Sequence, residues 1–223
     1  MNCLNTLKKH LRTLPLFAGA LALSAVLAFS GSSQAQAAEN LPASYPVSEP
    51  VLVWGTAQHE GDRLVLTNVQ GDTVHQEIVL NISDETKILE ASGGYPVALD
   101  SIRDGETIYA YISQAMTMSL PPQSHAELIL CQIPQGAAVP SYEKVDFTAF
   151  LSSDVQAVSP AVGQIATLRG TTWAVMDETV ILPYLTRNIV TAQDLTPGTA
   201  FLVWPAGTAA DGLQVAGKIV IFQ

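Results

Sequence analysis

One pattern of residues occurs twice in this chain, 93 positions apart, and it constrains the fold more than any other feature. Residues 84–89 return as residues 177–182, and Gly105 returns as Gly198 at the same distance. Seven residues are identical over the 29 positions from 84 to 112, and they cluster at a turn and at a glycine. Because internal repetition is typical of a duplicated structural unit, we predict two related modules.

The first module has the pattern of a small β-barrel. Residues 51–56 and 63–69 are apolar runs, and residues 77–82 alternate with the period of two that places every second side chain on one face of a strand. A short helical turn that ends at Gly105 follows. After it we predict two further strands, at residues 107–113 and 126–133.

Three strands, a helical turn and two more strands follow one another in the order of an OB-type barrel. The sequence therefore predicts an all-β chain with two tandem small OB-like β-barrels, each with five strands and one short helical turn. A small sandwich is the alternative. The predicted divisions are a signal peptide at 1–38, a lead-in at 39–50, the first module at 51–133, a linker at 134–144 and the second module at 145–223.

The N-terminus has the three parts of a cleavable secretory signal peptide. Lys8, Lys9 and Arg12 precede an uncharged apolar stretch at 16–29, and the small residues 35–37 place the cleavage before Ala38. That stretch has 14 residues, whereas a membrane-spanning helix needs about 20. We expect a secreted or extracytoplasmic protein of the cell envelope, with no membrane insertion after cleavage.

The charge and cysteine content of the mature chain exclude several classes of protein. Cleavage removes three cations and no acid, so the net charge of −10 becomes −13. An acidic chain without clusters of Lys and Arg does not bind nucleic acid, because phosphate binding requires such clusters. Cys3 leaves with the signal peptide, and Cys131 in a strand-like apolar run predicts a buried, unreactive thiol without a disulfide.

Four segments of the first module resemble a known group of proteins, and they are residues 79–89, 97–111, 115–124 and 126–133. They resemble an uncharacterised family of exported tandem small β-barrel (OB-like) proteins of anaerobic gut Firmicutes, in which some relatives carry a copper amine oxidase-like N-terminal stalk domain. The resemblance covers the first module and implies export and the barrel fold. It implies no activity and no functional residues, and the residues of the stalk domain are not found in these 223 positions.

No catalytic residue and no cofactor are predicted from the sequence. It has no G-x-S-x-G nucleophile motif, and the pairs Asp84-Glu85 and Asp177-Glu178 favour turns over acid/base catalysis, because adjacent strand residues point to opposite faces. A hydrolase at the junction of the modules, with Asp84 and either His59 or His125, is one alternative.

A copper-handling protein is the second alternative. Met116, Met118 and His125 offer thioether and imidazole ligands, which suit Cu(I). The opposing interpretation is a methionine-containing loop that packs on the mouth of the barrel, since methionine mostly fills irregular apolar gaps. The predicted metal site is therefore none, with these three residues as the candidates.

The segment 114–124 between the last two strands of the first module is the predicted contact loop. OB-type barrels often bind ligands at this position, and the counterpart at 206–214 is small and polar. Its apolar residues would form either an exposed partner site or a cover over the barrel end, and they are Met116, Met118, Leu120, Pro121 and Pro122. We expect a non-enzymatic exported protein that acts by binding or assembly, with a protein or a glycan at the cell surface as its partner.

Overall fold

The computed structural model describes residues 49–150 and 161–222, which belong to one compact unit. The predicted signal peptide and most of the predicted lead-in lie outside the described residues. None of the helices in the described ranges is long and apolar enough to cross a membrane.

Eleven strands and two short 3₁₀ helices make up the described ranges. The strands of the first module are β1 (Val51–Glu60), β2 (Arg63–Gln70), β3 (Glu77–Asn81), β4 (Lys87–Glu90), β5 (Thr107–Ile112) and β6 (Gln123–Cys131). Those of the second are β7 (Ser141–Phe150), β8 (Ala161–Thr167), β9 (Thr172–Pro183), β10 (Ala200–Thr208) and β11 (Gln214–Phe222). The 3₁₀ helices are Leu99–Ser101 and Ala192–Asp194.

Each module closes into a five-stranded barrel. The order around the first barrel is β1-β2-β3-β6-β5, and the order around the second is β7-β8-β9-β11-β10. The ring closes through a parallel pair, β3 with β6 and β9 with β11, while the other neighbours are antiparallel. In the first barrel β4 continues along β6 beyond β3, whereas β9 spans both positions in one strand. The prediction of two tandem five-stranded barrels is confirmed.

The 93-residue repeat is also a repeat of hydrogen bonds. Thr86 Oγ1 accepts from Ser83 N at 3.0 Å and donates to Ala126 O at 2.7 Å. Thr179, 93 positions later, accepts from Met176 N at 2.9 Å and donates to Ala216 O at 2.6 Å. Each threonine therefore ties the residues just before it to the closing strand of its own barrel.

Glycine ends the helical turn in both modules. Gly105 has a φ of 85° and donates its N–H to Ala57 O, and Gly198 has a φ of 86° and donates to Val145 O. A left-handed φ is unfavourable for residues with a Cβ atom, so the same backbone geometry keeps glycine at both positions. The two 3₁₀ helices are likewise 93 positions apart.

The barrels are filled by inward-facing apolar side chains. Leu66, Ile108 and Ile129 are fully buried in the first core, and Phe201 and Ile219 in the second. A third apolar cluster lies between the barrels, and it contains Leu89, Tyr111, Leu128, Leu130, Tyr142, Leu202 and Val220. The two modules are thus joined by an apolar junction as well as by the chain.

Equivalent strands of the two modules supply the two sides of this junction. The first barrel contributes the outer face of β5 and β6, and the second contributes the outer face of β10 and β11. Such use of the same surface on both sides is how identical subunits meet in a two-fold dimer. Strand β7, which also enters the junction through Tyr142, begins at Ser141, within the segment predicted as linker.

Candidate functional site

The loop between β5 and β6 is held in one shape by its own hydrogen bonds. Thr117 N donates to Gln123 O at 3.0 Å, and Gln123 N donates to Thr117 Oγ1 at 2.9 Å. Ser119 Oγ donates to Pro121 O at 2.8 Å, and Ser124 Oγ donates to Ser113 O at 2.8 Å. Short polar side chains thus satisfy backbone groups of the loop locally.

The structure divides the five predicted contact residues between the two interpretations. Met118 and Leu120 have relative exposures of 103% and 93%. Pro121 is half-buried, Pro122 is buried, and Met116 is half-buried against the core of the first barrel. Met116 and Pro122 thus anchor the loop on the barrel end, and Met118 and Leu120 face solvent.

A second loop extends this exposed surface. Leu120 and Pro121 line a groove of about 270 Å³ together with the β2–β3 loop, in which Val74 is 76% exposed. We call Val74, Met118, Leu120 and Pro121 the apolar tip. Sequence reasoning missed Val74, and its only signal was an apolar residue inside a polar, turn-forming segment.

Asp72 organises the β2–β3 loop. Its carboxylate accepts from Val74 N at 2.7 Å and from His75 N at 3.2 Å, and lies 2.8 Å from His75 Nδ1. Burial acts to raise the pKa of Asp72, but the hydrogen bonds from His75 and from the two backbone N–H groups outweigh it and lower the pKa. The charged carboxylate therefore fixes the loop that presents Val74.

A groove of about 810 Å³ lies at the junction of the modules. We call it the junction groove; Asp84 and Lys87 line it from the β3–β4 region, His125 from β6, and Tyr184 and Leu185 from the second module. Two residues of the predicted hydrolase alternative, Asp84 and His125, thus meet in one groove. Both are exposed.

His59, the third residue of that alternative, lies elsewhere. Its Nδ1 is 2.8 Å from Asp104 Oδ1, and its Nε2 is 3.3 Å from Leu99 O. The imidazole therefore joins the end of β1 to the 3₁₀ segment. Its hydrogen bonds serve the fold of the first barrel.

The copper candidates lie in different surroundings. Met116 packs on the core, Met118 is exposed at the apolar tip, and His125 lines the junction groove. Within 49–150 and 161–222, no three His, Cys, Asp or Glu residues are grouped to hold a metal ion. Cys131 is buried, and its Sγ lies 3.5 Å from Leu89 O.

Comparison of the chain with protein-family models, with curated proteins and with solved structures found no match.

Proposed function

We propose that this chain is an exported, non-enzymatic protein that binds a protein partner at the cell envelope or outside the cell through the apolar tip. The observation that carries the proposal is the exposure of Met118 and Leu120 on a loop whose shape is already held by hydrogen bonds. Exposed apolar side chains grouped on a surface mark contact sites for other proteins.

The energetics of the apolar tip favour binding. Removal of a Leu or Met side chain from water contributes about 1.5–3 kcal/mol. A loop that is ordered before binding loses little conformational entropy on association, so more of that contribution is retained as affinity. Aliphatic side chains offer no hydrogen bonds to sugar hydroxyl groups, which is why we propose a protein partner for this surface.

The binding experiment compares two double variants of the mature chain. Met118→Ser with Leu120→Ser removes the exposed apolar side chains of the tip. Val180→Ser with Ile189→Ser removes two apolar side chains of the second module that are 50% and 94% exposed. A partner is captured from the envelope fraction, and its affinity for each protein is measured by surface plasmon resonance. It should bind the wild type and the second-barrel variant equally well, and the tip variant at least tenfold more weakly. Equal binding to all three proteins would contradict the proposal.

Export is tested separately on the full precursor. Expressed in its host, the chain should be recovered from the envelope or the medium with Ala38 as its first residue, by N-terminal sequencing. A cytoplasmic protein that retains Lys8, Lys9 and Arg12 would contradict export and leave the binding experiment unaffected.

A hydrolase is the second candidate, favoured by the presence of Asp84 and His125 in the junction groove. His125→Ala should then abolish hydrolysis of ester or glycoside test substrates, while His75→Ala, which alters a histidine outside that groove, should not. Absence of hydrolysis by the wild-type chain removes this candidate.

A further inference from the structure

A third groove lies on the first barrel beside the connection between the modules. It has a volume of about 820 Å³, within the range of about 300–1,000 Å³ that is usual for small-ligand sites. We call it the linker groove. Its walls are residues 103–107 with Tyr109 on one side and residues 132–137 with Val139 on the other.

Glu106 holds the two walls of the linker groove together. One carboxylate oxygen, Oε1, accepts from Gln132 N, and the other, Oε2, accepts from Arg103 N at 3.1 Å. Gln132 has a φ of 52°, a left-handed conformation that non-glycine residues rarely adopt. Strained backbone of this kind persists where the surroundings over-determine it and clusters at functional sites.

An aromatic pair forms part of the groove. Trp54 and Tyr109 lie directly opposite each other on β1 and β5, with ring centroids 5.6 Å apart and ring planes at 8°. Both rings are half-buried, and Tyr109 lines the groove. A phenol ring supported from behind by an indole is a rigid apolar surface with a polar edge.

Polar side chains share the remaining lining with apolar residues such as Ile133 and Val139. Arg103, Gln132 and Gln135 are exposed residues with planar hydrogen-bonding groups, and Tyr109 stands among them. A pyranose ring has the complementary surface, because its C–H face packs on an aromatic ring while its hydroxyl groups bond to amides and guanidinium groups in the ring plane.

The second barrel lacks an equivalent of this aromatic pair at the corresponding positions. Leu202 lies 93 positions after Tyr109 and takes its place in the second barrel. The residue opposite Leu202 on the neighbouring strand is Tyr142, where the first barrel has Trp54. Leu202 and Tyr142 are buried in the junction between the barrels. The half-buried Trp54–Tyr109 pair, of which Tyr109 also packs against the junction cluster, is therefore specific to the first module.

We infer that the linker groove is a carbohydrate-binding site, with Tyr109 as the stacking surface and with Arg103, Gln132 and Gln135 as hydrogen-bonding groups. It is separate from the apolar tip, so the chain can hold a glycan and a protein at the same time. Long polyanions such as nucleic acid are disfavoured by the net charge of the chain and by Asp104 and Glu106 at the groove.

The test titrates the mature chain with short oligosaccharides derived from cellulose, xylan, mannan, chitin and pectin. Tryptophan fluorescence reports on Trp54 together with Trp173 and Trp204, and amide chemical shifts locate the site. Binding should shift the amides of 103–109 and 132–139 and change the emission. Tyr109→Ala should weaken binding at least about tenfold and Gln135→Ala severalfold, whereas Tyr109→Phe should bind as the wild type does.

Control variants and a stability measurement show whether a loss of sugar binding comes from the linker groove. Tyr95→Ala removes an exposed tyrosine outside the groove and should leave binding unchanged, as should the double substitution at Met118 and Leu120. A thermal melt of each variant excludes unfolding as the cause of a loss. If none of the sugars shifts the groove amides, if binding survives in Tyr109→Ala, or if the groove binds only peptides, the inference is wrong, whatever the partner of the apolar tip.

Discussion

Single residues in this protein mostly serve the barrel, and His59 is an example. The hydrogen bond between His59 and Asp104 raises the pKa of His59 most, and the bond to Leu99 O raises it further. The bond with His59 also lowers the pKa of Asp104. A raised histidine pKa means that stability is gained below the unfolded-state pKa of about 6.5 and lost as the pH rises through the folded-state value.

The pair should therefore stabilise the fold between about pH 4 and pH 6.5, since Asp104 contributes only above its own unfolded-state pKa. We predict that His59→Gln lowers the urea midpoint in that window and much less at pH 8. Asp104→Asn should lower the His59 pKa measured by NMR, whereas Asp146→Asn, in the second barrel, should not. A midpoint difference that is independent of pH would contradict this assignment.

Cys131 was predicted to be buried and unreactive, and it is buried in the first core. Burial, followed by the negative charges of Glu106 and Glu90, raises the pKa of its thiol to about 12. The thiolate that attacks reagents is thus nearly absent at neutral pH.

We predict that Ellman's reagent at pH 8 labels Cys131 in the folded mature chain slowly and only through opening of the barrel. Labelling should be complete at once in denaturant. Rapid stoichiometric labelling of the folded protein would show that the thiol is accessible.

At the scale of elements, the two modules share the hydrogen bonds of a repeated threonine. Thr86 and Thr179 each bond the residue three positions earlier to the closing strand, and the repeat of residues 84–89 at 177–182 reflects this shared bonding. The sequence pattern indicated a turn at both places. In the second barrel Asp177 and Glu178 instead lie within the long strand β9, where the register with β11 shifts.

Thr86→Val and Thr179→Val should each cost about 1–3 kcal/mol of unfolding free energy, because each leaves an N–H and a C=O group without its partner. Denaturant titration of the mature chain measures both. Thr73→Val changes an exposed threonine and should cost little. Two neutral substitutions would mean that the shared hydrogen bonds are not what the repeat preserves.

At the scale of the whole molecule, the junction makes the two barrels one unit. Trp204 Nε1 donates to Ala91 O at 2.8 Å, Lys218 Nζ donates to Gly93 O at 2.8 Å, and Tyr142 N donates to Tyr111 Oη at 2.9 Å. The Lys218 ammonium also lies 3.7 Å from the centre of the Trp204 ring. Because these bonds surround an apolar cluster, we expect the barrels to unfold together.

Gly94 tests that expectation. It has a φ of 77°, and a Cβ atom there would lie 2.7 Å from the Trp204 ring. Gly94→Ala should lower the free energy of unfolding by about 1–3 kcal/mol through the clash, in addition to the effect of the backbone strain. It should also split the calorimetric unfolding transition into two. Gly136→Ala is the matched control, with a φ of 75° and open space around it. Equal effects of both substitutions would mean that contact across the junction contributes little.

Local patterns in the sequence determined the five strands of the first barrel, the helical turns, the glycines that end them and the duplication. Strand β4 was not predicted. The patterns are readable because a period of two, a left-handed glycine and a capped turn each depend on a few neighbouring residues. The burial of Cys131 followed from its strand context in the same way.

Only the tertiary structure decided which faces are covered and which groups meet. Leu89 is buried in the junction, whereas Leu182, its counterpart in the repeat, is 43% exposed. Val74 lies beside Leu120, and Asp84 lines one groove with His125. These placements arise from the parallel closing pairs and from the packing of one barrel on the other, which join residues far apart in the chain and leave no local periodicity in the sequence.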